Sequence, residues 1–372
     1  MTTKQKIISS RFVAGQSGSP KFIYDSSQLS FISEVRLRLQ DGRYKLVNYN
    51  CPCESEKEDI IISEVDRYGL PLNSVMCMKC GTVRLDPYLD ESSLEDFYTN
   101  FYQQMYGRAI DLDSYFLKQK NYGEKVLSVA QTFLKPESWV CEVGCGAGGA
   151  LKVFQDRGYN VAGCDYSREL IRAGNQKNVK NLYDGSLDTL GSHLSGIKFD
   201  LIYLHHVFEH TNDPLSFLEN CRKYLAPKGK IIIAVPDISK IDVSKACPGD
   251  LLAYLHLAHK YNFSFECLRR MCGITEYSLT RLSPDSSIIT HCSILSELWV
   301  QLTIENDKNC EEPNNNLLLN EPGTRLIRYL KLTEKLYSLG LTKGQLLHKL
   351  SSSLGYVKTF LQKSKNYVFS FF

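Results

Sequence analysis

The chain has 372 residues, 43% of them hydrophobic, and a formal net charge of +3. That is long enough for two domains and apolar enough for a sizeable core, and a charge so near balance gives no ground for expecting nucleic acid as the partner. Thirteen cysteines, an odd number, and a first decapeptide without an apolar signal core argue against a disulfide framework and predict a reducing, cytoplasmic setting. No apolar run approaches the length of a membrane span.

In chain order, residues 1–45 read as short β-like pieces between polar turns, with 30–37 as one such piece. Residues 46–88 carry Cys51-Pro52-Cys53 and Cys77-Met78-Lys79-Cys80-Gly81. Two cysteine pairs separated by a loop of this size suit a tetrahedral zinc ion held by Cys51, Cys53, Cys77 and Cys80. The single residue inside the first pair departs from the usual two, so four unligated cysteines or a redox pair remain alternatives. A closed shell of four thiolates leaves no open position, so this zinc would fold a β-rich module over 1–90 and take no part in chemistry.

Residues 91–136 read as a helical lid or linker. Leu94, Phe97, Tyr98, Phe101, Tyr102 and Met105 recur at helical spacing, as core or as a lid. A second amphipathic helix fills 113–134, with Pro136 just past its end.

The centre of the chain is residues 139–150, where a short apolar run with one acid, Glu142, meets Gly144, Gly146, Gly148 and Gly149. This reads as a buried strand, a glycine turn and a helix start, a cradle where a nucleotide-type ligand can lie against the main chain. Gly144, Gly146 and Gly149 fit the dinucleotide spacing, while Gly144, Gly146 and Gly148 equally fit G-x-G-x-G. Glu142 separates the two: an anion there is awkward beside a pyrophosphate and comfortable beside a cationic amino group. A second acid, Asp165, closes the next apolar run, where a carboxylate can hold two ribose hydroxyls. Strand and helix then alternate through 302, which predicts an α/β fold with a doubly wound, mostly parallel sheet over 137–305.

On Glu142, the glycines and Asp165 the chain resembles the class I S-adenosylmethionine-dependent methyltransferases. The stretch from Phe199 through His205, His206, Glu209 and His210 to Asp213-Pro214 looks like the family's fourth motif, and Leu225-Ala226-Pro227-Lys228-Gly229 like its turn before strand five. The resemblance covers roughly 139–237 and implies a Rossmann-like sheet of seven strands. It implies S-adenosyl-L-methionine as cofactor, held by Glu142, Gly144, Gly146, Gly148 and Asp165, with Tyr166 on the adenine, Asp184 or Gly185-Ser186 near its amine, and His205 lining the pocket.

Methyl transfer to a hydroxyl or acidic carbon needs a base, and histidine titrates near neutrality. His205, His206, Glu209, His210, His256 and His259 are the candidates, with His206 and His259 placed nearest the acceptor. Residues 256–264 look like the stretch before Tyr-Phe-Ser in zinc-containing nucleotide-sugar C-methyltransferases, but Ala258 stands where they carry glutamate. O-methylation therefore fits as well as C-methylation, and no acid–histidine spacing in that stretch argues for a catalytic metal. Residues 276–305 should close the sheet as an antiparallel hairpin. From 306 a polar linker leads into a basic, amphipathic helical tail, which reads as a packing helix or as a contact with a membrane surface or partner.

The expected function is methylation of a sugar, nucleotide-sugar or surface polysaccharide. A small-molecule O- or N-methyltransferase, a non-catalytic binding or scaffold protein on the same fold, and an oxidoreductase are the alternatives.

Overall fold

A computed structural model describes residues 12–14, 23–54, 59–106, 111–240, 251–288, 296–304 and 322–338. The predicted β-like piece at 30–37 is instead part of a helix, α1 (Ser26–Gln40). Asp25 accepts from the Gln28 backbone while the Gln28 side chain reaches back to Asp25, a reciprocal cap that satisfies two helix-start donors. Ile32 and Val35, three apart, form the buried face.

Behind α1 come β1 (Leu46–Val47), β2 (Asp59–Ser63), β3 (Ser74–Cys77), β4 (Val83–Leu85) and β5 (Tyr88–Leu89). Strand β1 pairs with β5, and β2, β3 and β4 form an antiparallel sheet. Helices α2 (Glu91–Asn100) and α3 (Tyr102–Tyr106) follow. Leu94, Phe97, Phe101 and Met105 are buried with Ile32, Val35 and Tyr88, so most of the predicted aromatic stripe is core. Helix α4 (Leu112–Ala130) is capped by Asp111.

The seven-stranded sheet then builds in order: β6 (Trp139–Val143), α5 (Gly149–Gln155), β7 (Asn160–Asp165), α6 (Arg168–Gln176), β8 (Leu182–Asp184), α7 (Leu187–His193), β9 (Phe199–His205), α8 (Pro214–Tyr224) and β10 (Leu225–Pro236). Strand β11 (Tyr261–Asn262) and α9 (Phe265–Ile274) precede the closing hairpin, β12 (Tyr277–Arg281) and β13 (Glu297–Ile304). The sheet order is β12-β13-β10-β9-β6-β7-β8. Strands β6 to β10 run parallel, and β13 joins β10 antiparallel. The chain leaves β6 toward β7 on one side and returns to β9 on the other, so the glycine turn opens at the point where the winding reverses.

Strand residues alternate between two cores. Val140, Leu201, Tyr203 and Ile232 pack with α4 and α5 through Val126, Leu127, Leu151 and Phe154. Cys141, Ile202, Leu204 and Ile233 pack on the other face with Leu187, Leu218 and Leu268. Each such aliphatic or aromatic side chain contributes roughly 2 kcal/mol by leaving water, which makes the sheet a stiff platform for the loops at its carboxyl edge.

Strand β11 does not join this sheet. It pairs with β4 and completes the N-terminal sheet in the order β11-β4-β3-β2. That pairing ties the cysteine region to the segment carrying His256 and His259. A last described helix, α10 (Pro322–Ser338), opens the predicted tail. The remainder of that tail, at 339–372, and the linker at 305–321 lie outside the described residues. No described helix is long and apolar enough to cross a membrane.

Candidate functional site

The turn between β6 and α5 places Gly144, Gly146 and Gly148 at φ of 71°, 53° and 71°, left-handed values that glycine adopts without the penalty of a Cβ. Two neighbours hold the turn in shape. The Gln119 amide donates to the Cys145 carbonyl at 2.7 Å and its oxygen accepts from Gly149 N at 3.2 Å. Asp165, at the tip of β7, accepts from Gly146 N and from Ser167 N, both at 2.8 Å. Glu142, within β6, thus precedes the turn, and Asp165 meets it from the tip of β7.

Glu142 faces Tyr203 across the β6–β9 register and is buried. Its Oε2 has no hydrogen-bond partner among the described residues. Burial first, and then the Asp165 charge, push its carboxyl well above the usual range, with the Tyr203 hydroxyl pulling the other way. Burial likewise raises Asp165 against its two backbone donors. Two carboxyl groups whose ionised forms are both costly make a site that favours a cationic ligand. The unpartnered Glu142 oxygen is free to accept from such a ligand, and the Asp165 carboxylate lies against the glycine turn.

The other predicted cofactor residues differ in their surroundings. Tyr166 is 83% exposed, available as a flat surface at the rim. The Asp184 carboxylate is engaged by Arg168 at 2.9 Å, both largely in solvent. His205 lies with its ring 3.9 Å from that of Tyr122 and its Nε2 3.1 Å from Glu297.

His206 follows at φ 54°, a conformation costing on the order of 1–3 kcal/mol for a non-glycine residue and common at functional sites. Its Nε2 is 3.0 Å from Glu297 and its Nδ1 3.3 Å from Glu209. Burial opposes its charge, but Glu209 and Glu297 together outweigh that and raise its pKa to about 10. An imidazolium donates at both nitrogens and accepts no proton, so the predicted base role does not suit His206 in this arrangement. Sequence reasoning missed Glu297, the first residue of β13. It also accepts from the Trp299 indole at 2.9 Å and pairs with Lys125 at 3.0 Å.

The helical turn Phe208–His210 brings the second half of the fourth motif against the 256–259 segment. Glu209 has no exposed surface. His259 Nε2 stands 3.9 Å from Glu209 Oε1, and the His259 ring packs against His256 at 3.7 Å and His210 at 4.8 Å between centroids. Burial, then the neighbouring His210 charge, hold His259 well below the usual histidine range, so it is a neutral imidazole at physiological pH. The Tyr98 hydroxyl from α2 lies 3.0 Å from His210 Nδ1. The predicted stripe thus reaches the site through Tyr98 and through Tyr102, whose ring lies edge-on to His210 at 6.5 Å. Val207 joins the two halves, because a Cβ on Gly144 would stand 2.4 Å from its Cγ2.

Cys51, Cys53, Cys77 and Cys80 converge as free, buried thiols. Cys51 and Cys80 sulfurs are 3.6 Å apart, and those of Cys53 and Cys77 3.7 Å. Four sulfurs at about 2.3 Å from a tetrahedral zinc would be about 3.8 Å from one another, so the group fits that ion. Gly81, at φ 76°, donates back to the Cys77 carbonyl at 2.8 Å and makes the tight turn expected after the last cysteine.

A cavity of about 470 Å³ lined by Asp111, Leu112, Asp113, Ala173, Gln176 and Lys177 shares no residue with these groups.

Residues 116–283 match the family model described as a methyltransferase domain. The ubiquinone biosynthesis O-methyltransferase of Psychrobacter arcticus is 29% identical over 102 residues, 26% of this chain and 39% of that protein. Its counterpart in Haemophilus ducreyi is 27% identical over 105 residues, 26% of this chain and 44% of that protein. The chain therefore spans about two fifths of the length of these curated relatives. Among solved structures, the plantazolicin methyltransferase BpumL in complex with a triazolic desmethylPZN analog and SAH is 17% identical, covering 57% of this chain and 95% of that one at a TM-score of 0.44. Magnesium protoporphyrin IX methyltransferase from Synechocystis with bound SAM is 15% identical, covering 57% and 96% at 0.39. The α/β fold itself stands on the strand pairing given above.

Proposed function

We propose that this methyltransferase domain uses S-adenosylmethionine to methylate a hydroxyl of a sugar acceptor, free, nucleotide-linked or within a surface polysaccharide. The observation that carries the cofactor is the buried Glu142 oxygen without a partner, set across the glycine turn from Asp165. S-adenosylmethionine supplies a methyl group on a sulfonium, which leaves as a neutral thioether when an acceptor oxygen attacks in line. The chain's residues then have three tasks. Glu142 neutralises the amino group, and Asp165 accepts from the ribose hydroxyls while Gly144 and Gly146 let the main chain close on the ligand. The buried group formed by Glu209, His210 and His259, which begins two residues beyond Val207 and its contact with Gly144, receives the acceptor hydroxyl and the proton it loses. The products are a methyl ether, the thioether and one proton.

Several features support an oxygen acceptor. Ala258 leaves the 256–259 segment without the glutamate of the sugar C-methylating enzymes it resembles, and the curated relatives are named as O-methyltransferases. The rings of Tyr98, Tyr102 and His210 lie 5.0–6.5 Å apart, tilted or edge to face, and give an aromatic cluster with polar edges against which a sugar can pack. Four zinc-bound thiolates fold the N-terminal sheet in this reading, and the ten buried free cysteines among the described residues suit a reducing cytoplasm. A membrane contact of the basic tail would bring the enzyme to a lipid-linked acceptor.

A panel of nucleotide-sugars and sugar lipids with methyl-labelled donor tests the acceptor. Label should enter one or a few sugars at oxygen. His259→Ala should cut turnover at least tenfold with donor binding intact. Label confined to non-sugar phenols would overturn the acceptor class, and full activity of His259→Ala would clear that residue.

A further inference from the structure

Neither carboxylate oxygen of Glu209 has a hydrogen-bond partner among the described residues, and the residue has no exposed surface. An ionised carboxylate in that position is costly unless a cation offsets it. His206 stands at ion-pair distance, 3.3 Å, without the alignment of a hydrogen bond.

Two more imidazoles close on the same carboxylate. One ligand atom from each of Glu209, His210 and His259 lies within 4.8 Å of the others. The orientation of His210 is informative. Its Nδ1 faces the Ala258 carbonyl oxygen at 2.8 Å. A carbonyl oxygen only accepts, so Nδ1 carries the proton and Nε2 keeps a bare lone pair. Ligating histidines are held in this way, with one ring N–H on a backbone carbonyl and the other nitrogen toward the ion. The His259 Nδ1 has no partner among the described residues either.

The adjacent acid–histidine group shows the contrast. Glu297 is met by Lys125, the Trp299 indole, His205 and His206, at 2.9 to 3.1 Å. Its charge is answered on every side and calls for no ion. Glu209 is met less fully, by the His206 imidazolium at 3.3 Å, which Glu297 shares, and by the neutral His259 at 3.9 Å.

We propose that Glu209, His210 and His259 form a binding site for a divalent first-row transition ion such as zinc, separate from the four-cysteine group. Two imidazoles and one carboxylate suit zinc and its neighbours and not magnesium, which takes oxygen ligands. Bonds of about 2.0–2.2 Å would draw the three ligand atoms to roughly 3.4 Å apart, from the 4.8 Å within which they lie. Three protein ligands leave at least one coordination position open. The sequence concealed the site because the acid belongs to the fourth motif and one of the histidines lies 50 residues further on. The site shares these three residues with the proton-accepting role proposed above, so an ion bound there would take up the same lone pairs, and its test reads metal content and not turnover.

The test is metal content by mass spectrometry on the full chain after equilibration with zinc, for wild type, Glu209→Gln, His259→Ala and Cys77→Ser. Glu209→Gln and His259→Ala should each hold one equivalent less than wild type, whatever the four-cysteine group holds. Cobalt(II) loading gives a second readout. The visible bands of nitrogen- and oxygen-bound cobalt should vanish in both variants while thiolate-to-cobalt charge transfer persists. Equal metal in wild type, Glu209→Gln and His259→Ala, or an unchanged cobalt spectrum, overturns the proposal. His259→Ala decides the matter should Glu209→Gln fail to fold.

Discussion

Replacing Glu142 by glutamine separates the two effects of a buried carboxylate. In the free protein its charge is a burden, because burial and the nearby Asp165 raise its pKa well above the usual carboxylate range. A raised pKa means the folded state holds the proton more tightly than the unfolded chain. Its stabilising contribution is then complete below the unfolded value, near 4.3, and is lost as pH rises through the folded value. Glu142→Gln keeps the shape and carries no charge, so it escapes that loss. Without ligand it should melt at or above the wild-type temperature at neutral pH, and its advantage should grow as pH rises from about 4. With ligand the order reverses. The carboxylate's bond to the S-adenosylmethionine amino group, a charge-assisted one, is worth about 1.5–3 kcal/mol, so the variant should bind roughly 10 to 150 times more weakly. Thermal unfolding across pH and calorimetric titration with S-adenosylmethionine read the two effects separately. A variant that melts lower when free and binds as tightly as wild type would refute the reasoning on both counts.

Two further substitutions probe the supports of the site. A Cβ on Gly149 would lie 2.3 Å from the Phe116 carbonyl oxygen and 2.7 Å from Gln119 Cβ, and the carbonyl belongs to backbone that cannot step aside. Gly149→Ala should therefore cost about 1–3 kcal/mol of stability and lower the melting temperature by several degrees, and unchanged melting would mean that α4 and α5 do not meet as described. Cys77→Ser should lower bound zinc by about one equivalent and melt the N-terminal sheet at a lower temperature than wild type. Retention of full zinc would remove that thiolate from the metal.

The sheet was legible because its signals are local. Alternation, glycine spacing and the acids Glu142 and Asp165 all lie within a few residues of the elements they mark. The hairpin at 276–305 was legible for the same reason, since both strands show period-two apolar runs. Helix α1 was misread because Phe31, Val35 and Leu37 also fit an alternating pattern. The capping pair Asp25 and Gln28, three residues apart, was the signal that could have found it. Glu297 carried no local signature. It matters because the register of β13 sets it opposite Pro236 at the carboxyl edge of the sheet, within reach of His205 and His206, and register between distant strands is not written in either strand alone. The same holds for β11, two residues that become a strand only by pairing with β4. Ala258 seemed to remove the acid from the histidine segment. The fold returns one from Glu209, 50 residues away in sequence.

The most direct test is calorimetric titration of the full chain and of Asp165→Ala with S-adenosylmethionine, and of the full chain with a nicotinamide dinucleotide as the competing ligand. One site for S-adenosylmethionine, lost on truncation of the β7 carboxylate, and no heat from the dinucleotide is the predicted result. Binding of the dinucleotide alone, or S-adenosylmethionine affinity indifferent to Asp165, would contradict the assignment of the glycine turn.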